Sequence, residues 1–119
     1  NNNTLASYKD WPVVTNEDVE SSDLFFGSGG GTLFPAHSLH KDVLNRELFM
    51  RLTPHADDVW LNAMVKLNGR RVIKTDSDIV ILNVKIGADT TLSSINNDQN
   101  QNDIQIANVN DYYKQQPLA

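Results

Sequence analysis

The sequence predicts one small domain of the α/β or α+β class, in which three or four helices pack around a small mixed sheet. Its 119 residues are enough for a single hydrophobic core. The clearest helical signal is an apolar stripe with i, i+3, i+4, i+7 spacing: Trp60, Ala63, Met64 and Leu67. The clearest strand signal is residues 78–86 (DIVILNVKI), which are rich in β-branched side chains.

The first quarter of the chain predicts loops around one short strand. Residues 16–23 (NEDVESSD) are acidic and predict a loop. Residues 24–26 (LFF) predict a buried strand, which Gly27 interrupts. Residues 27–31 contain too much glycine for regular secondary structure.

Two short helices are predicted next. Ser38 is a candidate N-cap for the first, and Asn45 is a candidate N-cap for a second helix that ends at Leu52. Three leucines four residues apart would line one face: Leu44, Leu48 and Leu52. Pro54 then stops or restarts the helix, because proline is tolerated at a first helical position.

The helix that carries Trp60 is predicted to end at the Asn-Gly pair of residues 68–69. Residues 71–74 are a short strand candidate, and the polar residues 97–103 predict a surface loop. Asn102 or Asp103 would cap a last helix. One face of that helix would be apolar, formed by Ile106, Val109 and Tyr113.

Composition and charge exclude several classes of function. With 10 basic and 15 acidic residues the net charge is −5, so no nucleic-acid partner is expected. The absence of cysteine excludes disulfides, cysteine metal ligands and cysteine nucleophiles. No apolar run reaches the roughly eighteen residues of a membrane span. The histidines lack zinc-motif spacing, so no metal site is predicted on this chain.

Two features are candidates for a ligand site, and each has a simpler explanation. Glycines at position 27 and at positions 29–31 let a ligand approach the main chain closely, although such clusters are more often flexible turns. Asp57 and Asp58 put negative charge at the start of a helix, where the macrodipole alone already favours it. His37 flanks the glycine run and is a candidate wall of the same site.

A series of motifs nevertheless runs through the chain in a recognisable order. Its members are Gly29-Gly30, Pro35, Leu39, Asp42-Val43, Asn45, Phe49, Leu52, Pro54 and the segment ADDVW at 56–60. The series resembles the second half of bacterial GT-A-type glycosyltransferases of capsule and lipopolysaccharide synthesis, whose pattern runs GxGGxLYPPxxL, Asp-Val and ADDxW. Here Phe34 replaces the tyrosine and Ala36 the second proline. The resemblance covers nearly the whole chain.

The resemblance implies a role for each matching residue. Asp58 would be the general base of inverting members, accepting a proton from the attacking acceptor hydroxyl. Asp57 would bind sugar hydroxyls, for which ionised carboxylates are strong acceptors. The substrate-binding residues would be Gly29, Gly30, Gly31 and His37. Trp60, in contrast, is interpreted as a core anchor on the apolar face of its helix.

GT-A enzymes place a nucleotide-binding half, with a metal-binding DxD motif, ahead of this glycine loop. The residues before Gly29 are too few to form such a half, so we expect residues 1–119 to be one domain from the C-terminal part of a longer enzyme. Residues 1–7 and 114–119 are expected to be flexible. A divalent metal, Mg²⁺ or Mn²⁺, is implied for the full-length parent and not for this chain.

The implied activity is transfer of a sugar from a nucleotide-sugar donor to a growing bacterial surface polysaccharide. The partners would be the donor and a glycan acceptor, in the cytoplasm or at the inner face of the bacterial membrane. The alternative is a non-catalytic carbohydrate-binding or interaction module with the same glycine loop. Apolar surface left by a missing half would favour self-association.

Overall fold

The structure, a computed structural model, describes residues 5–12, 19–21, 24–27, 31–75 and 100–114. These ranges contain three α-helices: α1 (Arg46–Leu52), α2 (Asp57–Leu67) and α3 (Gln101–Lys114). They also contain two 3-10 helices, Tyr8–Asp10 and Lys41–Leu44, and two strands, β1 (Val19–Ser21) and β2 (Val72–Lys74). This part of the chain is therefore a small α-rich mixed domain. No helix within it is long and apolar enough to cross a bilayer.

Helix α2 lies at the centre of the hydrophobic core. Its Met64 is fully buried, and Trp60 is 4% exposed. The Trp60 indole N–H donates a 3.1 Å hydrogen bond to the Val43 carbonyl, which satisfies the buried donor. Other buried members of the core are Leu48, Leu52, Ala56, Val59 and Val109. The predicted apolar stripe of α2 and the role of Trp60 as a core anchor are confirmed.

The start of α1 and the end of α2 follow the predicted chemistry. Asn45 Oδ1 accepts a 3.1 Å hydrogen bond from the backbone N–H of Leu48, which would otherwise lack a partner within the helix. Gly69 follows α2 with φ of 69°, the left-handed conformation in which many helices end. Both predicted helix boundaries are confirmed.

Helix α3 begins earlier than predicted and reaches Lys114, the first residue of the predicted tail. Its first residue is Gln101, so Asn102 and Asp103 lie inside the helix and are not its caps. The surface loop predicted here is wrong from Gln101 onward. Gln105 helps to explain why the helix begins at Gln101. Its buried side chain donates a hydrogen bond to the Gln101 carbonyl and accepts one from a backbone N–H in the turn between α1 and α2. The apolar face predicted for α3 is confirmed.

The two strands form one antiparallel pair. Its register pairs Val19 with Lys74, Glu20 with Ile73 and Ser21 with Val72. Strand β2 confirms the strand predicted at residues 71–74. Strand β1 overturns the predicted loop at residues 19–21, because pairing with β2 overrides the weak strand preference of an acidic segment. The other residues of the loop predicted at 16–23 lie outside the described residues. The predicted strand at residues 78–86 lies outside the described residues, and the sheet in the described part is antiparallel and not mixed.

Two further predictions are wrong. Residues 24–26 were predicted to form a buried strand, but they are only half-buried and do not form a strand. Leu44 is 87% exposed, so only Leu48 and Leu52 of the predicted leucine stripe face the core. The reason is that Leu44 ends a 3-10 helix, whose side-chain period of three residues differs from that of α1.

Ser38 does not cap a helix. The 3-10 helix Lys41–Leu44 begins after His40, whose Nδ1 accepts a 3.1 Å hydrogen bond from the Asp42 backbone N–H. The Ser38 side chain is instead buried, and its Oγ has no hydrogen-bond partner among the described residues. Histidine can replace serine as a cap because a neutral imidazole carries one acceptor nitrogen.

A half-buried tyrosine joins α3 to the Lys41–Leu44 helix. The Tyr113 hydroxyl donates a 2.9 Å hydrogen bond to Asp42 Oδ2. Burial raises the pKa of Tyr113, and the hydrogen bond to the Asp42 carboxylate and its negative charge raise it further. The folded state therefore favours the neutral hydroxyl.

We expect the free energy of unfolding to fall above about pH 10, the ordinary pKa of tyrosine. Because the folded-state pKa of Tyr113 is raised, its contribution is complete below the unfolded-state pKa and is lost as the pH rises through the folded-state value. Tyr113→Phe should lose about 1 kcal/mol at neutral pH with its hydrogen bond. Between neutral and alkaline pH, the free energy of unfolding of Tyr113→Phe should fall by less than that of wild type, because the variant lacks the titrating hydroxyl.

Urea denaturation at about pH 8 and about pH 11 measures both effects. Tyr112→Phe is the matched control, and it should keep the alkaline loss because Tyr113 and its bond to Asp42 remain. The same alkaline loss in wild type and both variants would contradict this role of Tyr113.

Candidate functional site

The two adjacent carboxylates open helix α2. Asp57 and Asp58 are its first two residues, after Ala56, which provides no side-chain cap. Asp57 is exposed and Asp58 is half-buried. Both stand in the first turn, where the positive end of the helix dipole stabilises negative charge. The two residues therefore differ in exposure, although they are adjacent in the same turn.

A buried amide side chain fixes the segment before the glycine run onto this helix. Asn62 is 2% exposed and lies one turn after Asp58. Its Nδ2 donates to the carbonyls of Phe26 and Asp58, both at 2.8 Å, and its Oδ1 accepts from the Phe26 N–H at 3.0 Å. Both backbone polar groups of Phe26 are thus satisfied by one side chain, which explains why no strand is needed there.

Asn62 was not singled out from the sequence, although one signal points to it. It lies three residues after Val59 and three before Val65, and both valines are buried. Positions three apart share a helix face. An amide on a face with buried valines must find hydrogen-bond partners inside the protein.

The start of the glycine run adjoins Asp58. A Cβ built on Gly27 would lie 4.0 Å from Asp58 Oδ2. Gly31 has φ of 101°, a conformation that side chains rarely adopt, and the rings of Phe26 and Phe34 meet edge to face at 5.7 Å. The two flanks of the run therefore lie close together. The candidate residues Gly29 and Gly30 lie outside the described residues.

An aromatic cluster covers the same region. The rings of Tyr8, Trp11 and Phe25 contact one another with centroid distances of 5.2 to 5.6 Å. Burial raises the pKa of Tyr8, and the negative charge of Asp58 raises it further. A neutral phenol hydroxyl thus lies within electrostatic range of the candidate base.

Asp103 holds this N-terminal segment in place. Its Oδ2 accepts from the Ser7 hydroxyl and its Oδ1 from the Tyr8 backbone N–H, each at 2.7 Å. These hydrogen bonds lower the pKa of Asp103. Ser7, which the sequence assigns to a flexible end, is therefore anchored. The contact joins residues far apart in sequence, and no local pattern signals it.

His37 lies away from the acidic pair. It has φ of 62° and is exposed, and its carbonyl accepts a 2.8 Å hydrogen bond from Asn68 Nδ2. Asn68 follows the last residue of α2, whereas Asp58 is near the first. At 1.5 Å per residue, the length of the helix separates the two sites by roughly 15 Å. The structure therefore brings Gly27, Asp58 and Tyr8 together but not His37.

The described residues do not form a metal site. Within them, no group of three or more His, Cys, Asp or Glu side chains could hold a metal ion. The Mg²⁺ or Mn²⁺ implied for a full-length parent finds no fitting donor set in this part of the chain. No chemical step is therefore assigned to a metal here.

Comparisons with protein-family models, curated proteins and solved structures give no match to this chain. A carboxylate at a helix start, next to an exposed glycine and within electrostatic range of a tyrosine phenol, can bind a hydroxyl or accept its proton.

Proposed function

We propose that this chain supplies the acceptor side and the catalytic base of a glycosyltransferase. The parent enzyme would transfer a sugar from a nucleotide-sugar donor to a growing bacterial surface polysaccharide. The observation that supports this most is the position of the Asp58 carboxylate beside Gly27, where α2 meets the glycine run. In the GT-A-type enzymes that the sequence resembles, the base stands at this helix and the sugars border the glycine loop.

Asp58 is the general base of the proposed reaction. The acceptor oxygen forms a bond to the anomeric carbon while the bond from that carbon to the nucleoside diphosphate breaks. The hydroxyl proton passes to an Asp58 carboxylate oxygen. Asp57, exposed on the same turn, accepts hydrogen bonds from sugar hydroxyls.

Tyr8 suits this reaction because it carries no charge. A tyrosine phenol, with an ordinary pKa of about 10, is already protonated at neutral pH, and the raised pKa of Tyr8 only reinforces this, so Tyr8 adds no second negative charge near Asp58. A neutral hydroxyl can also donate a hydrogen bond to the carboxylate or to a sugar oxygen. The Asp103 contacts keep Tyr8 in this position.

We predict that this chain alone does not bind nucleotide-sugar donors appreciably. Diphosphates are usually held through a metal ion or a cluster of cationic and backbone donors. The described residues contain no side-chain group suited to the metal. Calorimetric titration with UDP- and GDP-sugars, each with Mg²⁺ or Mn²⁺, tests the prediction. Saturable binding tighter than about 1 mM would refute the division of the site between this chain and a nucleotide-binding half.

A further inference from the structure

A single Asn-Gly pair occurs in the sequence, Asn68-Gly69, and it directly follows helix α2. Asparagine deamidates fastest before glycine, because glycine has no side chain to hinder the attack of its backbone nitrogen on the preceding amide. Both residues are exposed, so water reaches them. The local structure therefore determines whether this pair reacts.

The end of α2 holds the attacking nitrogen in an unreactive geometry. The Gly69 N–H donates to the Lys66 carbonyl at 3.0 Å, and the Arg70 N–H donates to the Val65 carbonyl at 3.1 Å. With the left-handed φ of Gly69, these bonds form a Schellman motif. The nitrogen must lose its proton before it attacks, and a hydrogen-bonded N–H exchanges its proton slowly.

The backbone of Asn68 also opposes ring closure. Its ψ is 8°, which turns the Gly69 nitrogen away from the Asn68 side chain. Attack on Cγ requires Cβ, Cα, the carbonyl carbon and this nitrogen to lie nearly in one plane. The ψ of Asn68 must therefore rotate far from its folded value before the two atoms can meet.

The Asn68 side chain is held by a distant part of the chain. Its Nδ2 donates a 2.8 Å hydrogen bond to the His37 carbonyl. His37 has φ of 62°, a conformation that residues other than glycine rarely adopt. The Ser38 N–H donates to the Pro35 carbonyl at 3.2 Å, so a turn around His37 positions the accepting carbonyl. The amide that would be attacked is therefore fixed as well.

We propose that Asn68 is a deamidation site that the His37 contact and the helix end keep unreactive in the folded chain. When these contacts open, the Gly69 nitrogen forms a bond to Asn68 Cγ and the bond from Cγ to Nδ2 breaks. Ammonia leaves with the proton of the Gly69 nitrogen, and a cyclic succinimide remains. Addition of water then opens the ring to aspartate or isoaspartate. This inference does not rest on the proposed function.

The product cannot restore the contact. Aspartate and isoaspartate offer a carboxylate oxygen where Asn68 offers an amide donor, and this oxygen repels the His37 carbonyl. The reaction also adds one negative charge to a chain of net charge −5. Isoaspartate further lengthens the main chain at the Schellman motif. Deamidation thus releases the turn at His37 from Asn68 irreversibly.

Ageing of the full chain in mildly alkaline buffer, with and without denaturing urea, tests the protection. Conversion of each asparagine to aspartate and isoaspartate is quantified by peptide mass spectrometry. In urea, Asn68 should react faster than any other asparagine, because it alone precedes glycine. In the folded chain, Asn68 should react many-fold more slowly than it does in urea.

Two substitutions of His37 test the contact. His37→Val should speed the reaction of Asn68 in the folded chain several-fold, because a β-branched residue disfavours the left-handed conformation and the accepting carbonyl moves. His37→Gly is the matched control. It also removes the imidazole, but glycine adopts this φ readily, so the wild-type rate is expected. In urea all three chains should react equally.

Equal rates at Asn68 in folded and unfolded wild type would overturn the inference, and so would the absence of reaction in urea. A wild-type rate in a folded His37→Val chain, with folding checked by circular dichroism, would overturn the role of the contact. If His37→Val does not fold, the less hindered His37→Ala replaces it and is judged by the same outcomes.

Discussion

In the proposed parent glycosyltransferase, Asp58→Asn should remove nearly all transfer activity while leaving the fold intact. Asparagine has the size of aspartate and still accepts hydrogen bonds, but it cannot take up a proton at neutral pH. Loss of a general base typically costs about a hundred- to ten-thousandfold in rate. Two measurements test this: the rate of transfer at saturating donor and acceptor reports catalysis, and the melting temperature reports whether the fold is intact.

Asp57→Asn is the matched control, because it changes the adjacent carboxylate in the same helical turn. It should mainly raise the apparent KM for the acceptor, since Asp57 is exposed and is assigned only to hydroxyl binding. If both carboxylates served only the helix dipole, each variant would lose roughly a few tenths to 1 kcal/mol of stability and activity would survive. Near-normal turnover in Asp58→Asn would refute its role as base.

Asn62→Leu should destabilise the domain by about 2–4 kcal/mol, although the two side chains are similar in volume. The reason is that both backbone polar groups of Phe26 lose their partner inside the protein. Urea denaturation measures the loss. The control is Asn68→Ala, which removes an exposed hydrogen bond to the His37 carbonyl and should cost less than about 1 kcal/mol. Equal losses in the two variants would contradict the importance of the buried amide.

Hydrogen exchange locates the same effect within the structure. In wild type the Phe26 amide is bonded to Asn62 Oδ1 and should exchange slowly. In Asn62→Leu it should exchange fast, whereas the amides of the buried middle of α2, such as that of Met64, keep most of their protection. Unchanged protection of Phe26 would mean that residues 24–27 are held in place without the Asn62 side chain.

The parts of the fold that the sequence predicts well are those specified within a few residues. The α2 stripe around Trp60 and Met64, the cap at Asn45 and the stop at Gly69 all depend on local spacing or local backbone conformation. Such features can be recognised without knowing what packs against them. Strand β1 is the opposite case, because it exists through pairing with β2, more than fifty positions later.

The candidate site likewise has some features that the sequence shows and others that only the structure shows. The sequence makes Asp58 and the glycine run candidates because their residue types carry chemistry. The contacts that organise them, from Asn62 to Phe26 and from Asp103 to Tyr8, join distant segments. A polar residue gives no sign in the sequence of which distant backbone group it will bind. For the same reason, closeness to the glycine run in sequence did not place His37 beside Asp58.

The most direct measurement is a transfer assay on the longer glycosyltransferase that we propose to contain this chain. Nucleoside diphosphate release and glycan product are followed with a panel of nucleotide sugars and oligosaccharide acceptors. A sugar-transferring enzyme should release diphosphate in proportion to the glycosylated product, dependent on the acceptor and abolished by Asp58→Asn. Saturable binding of glycan without transfer from any donor would contradict this function and indicate a carbohydrate-binding module.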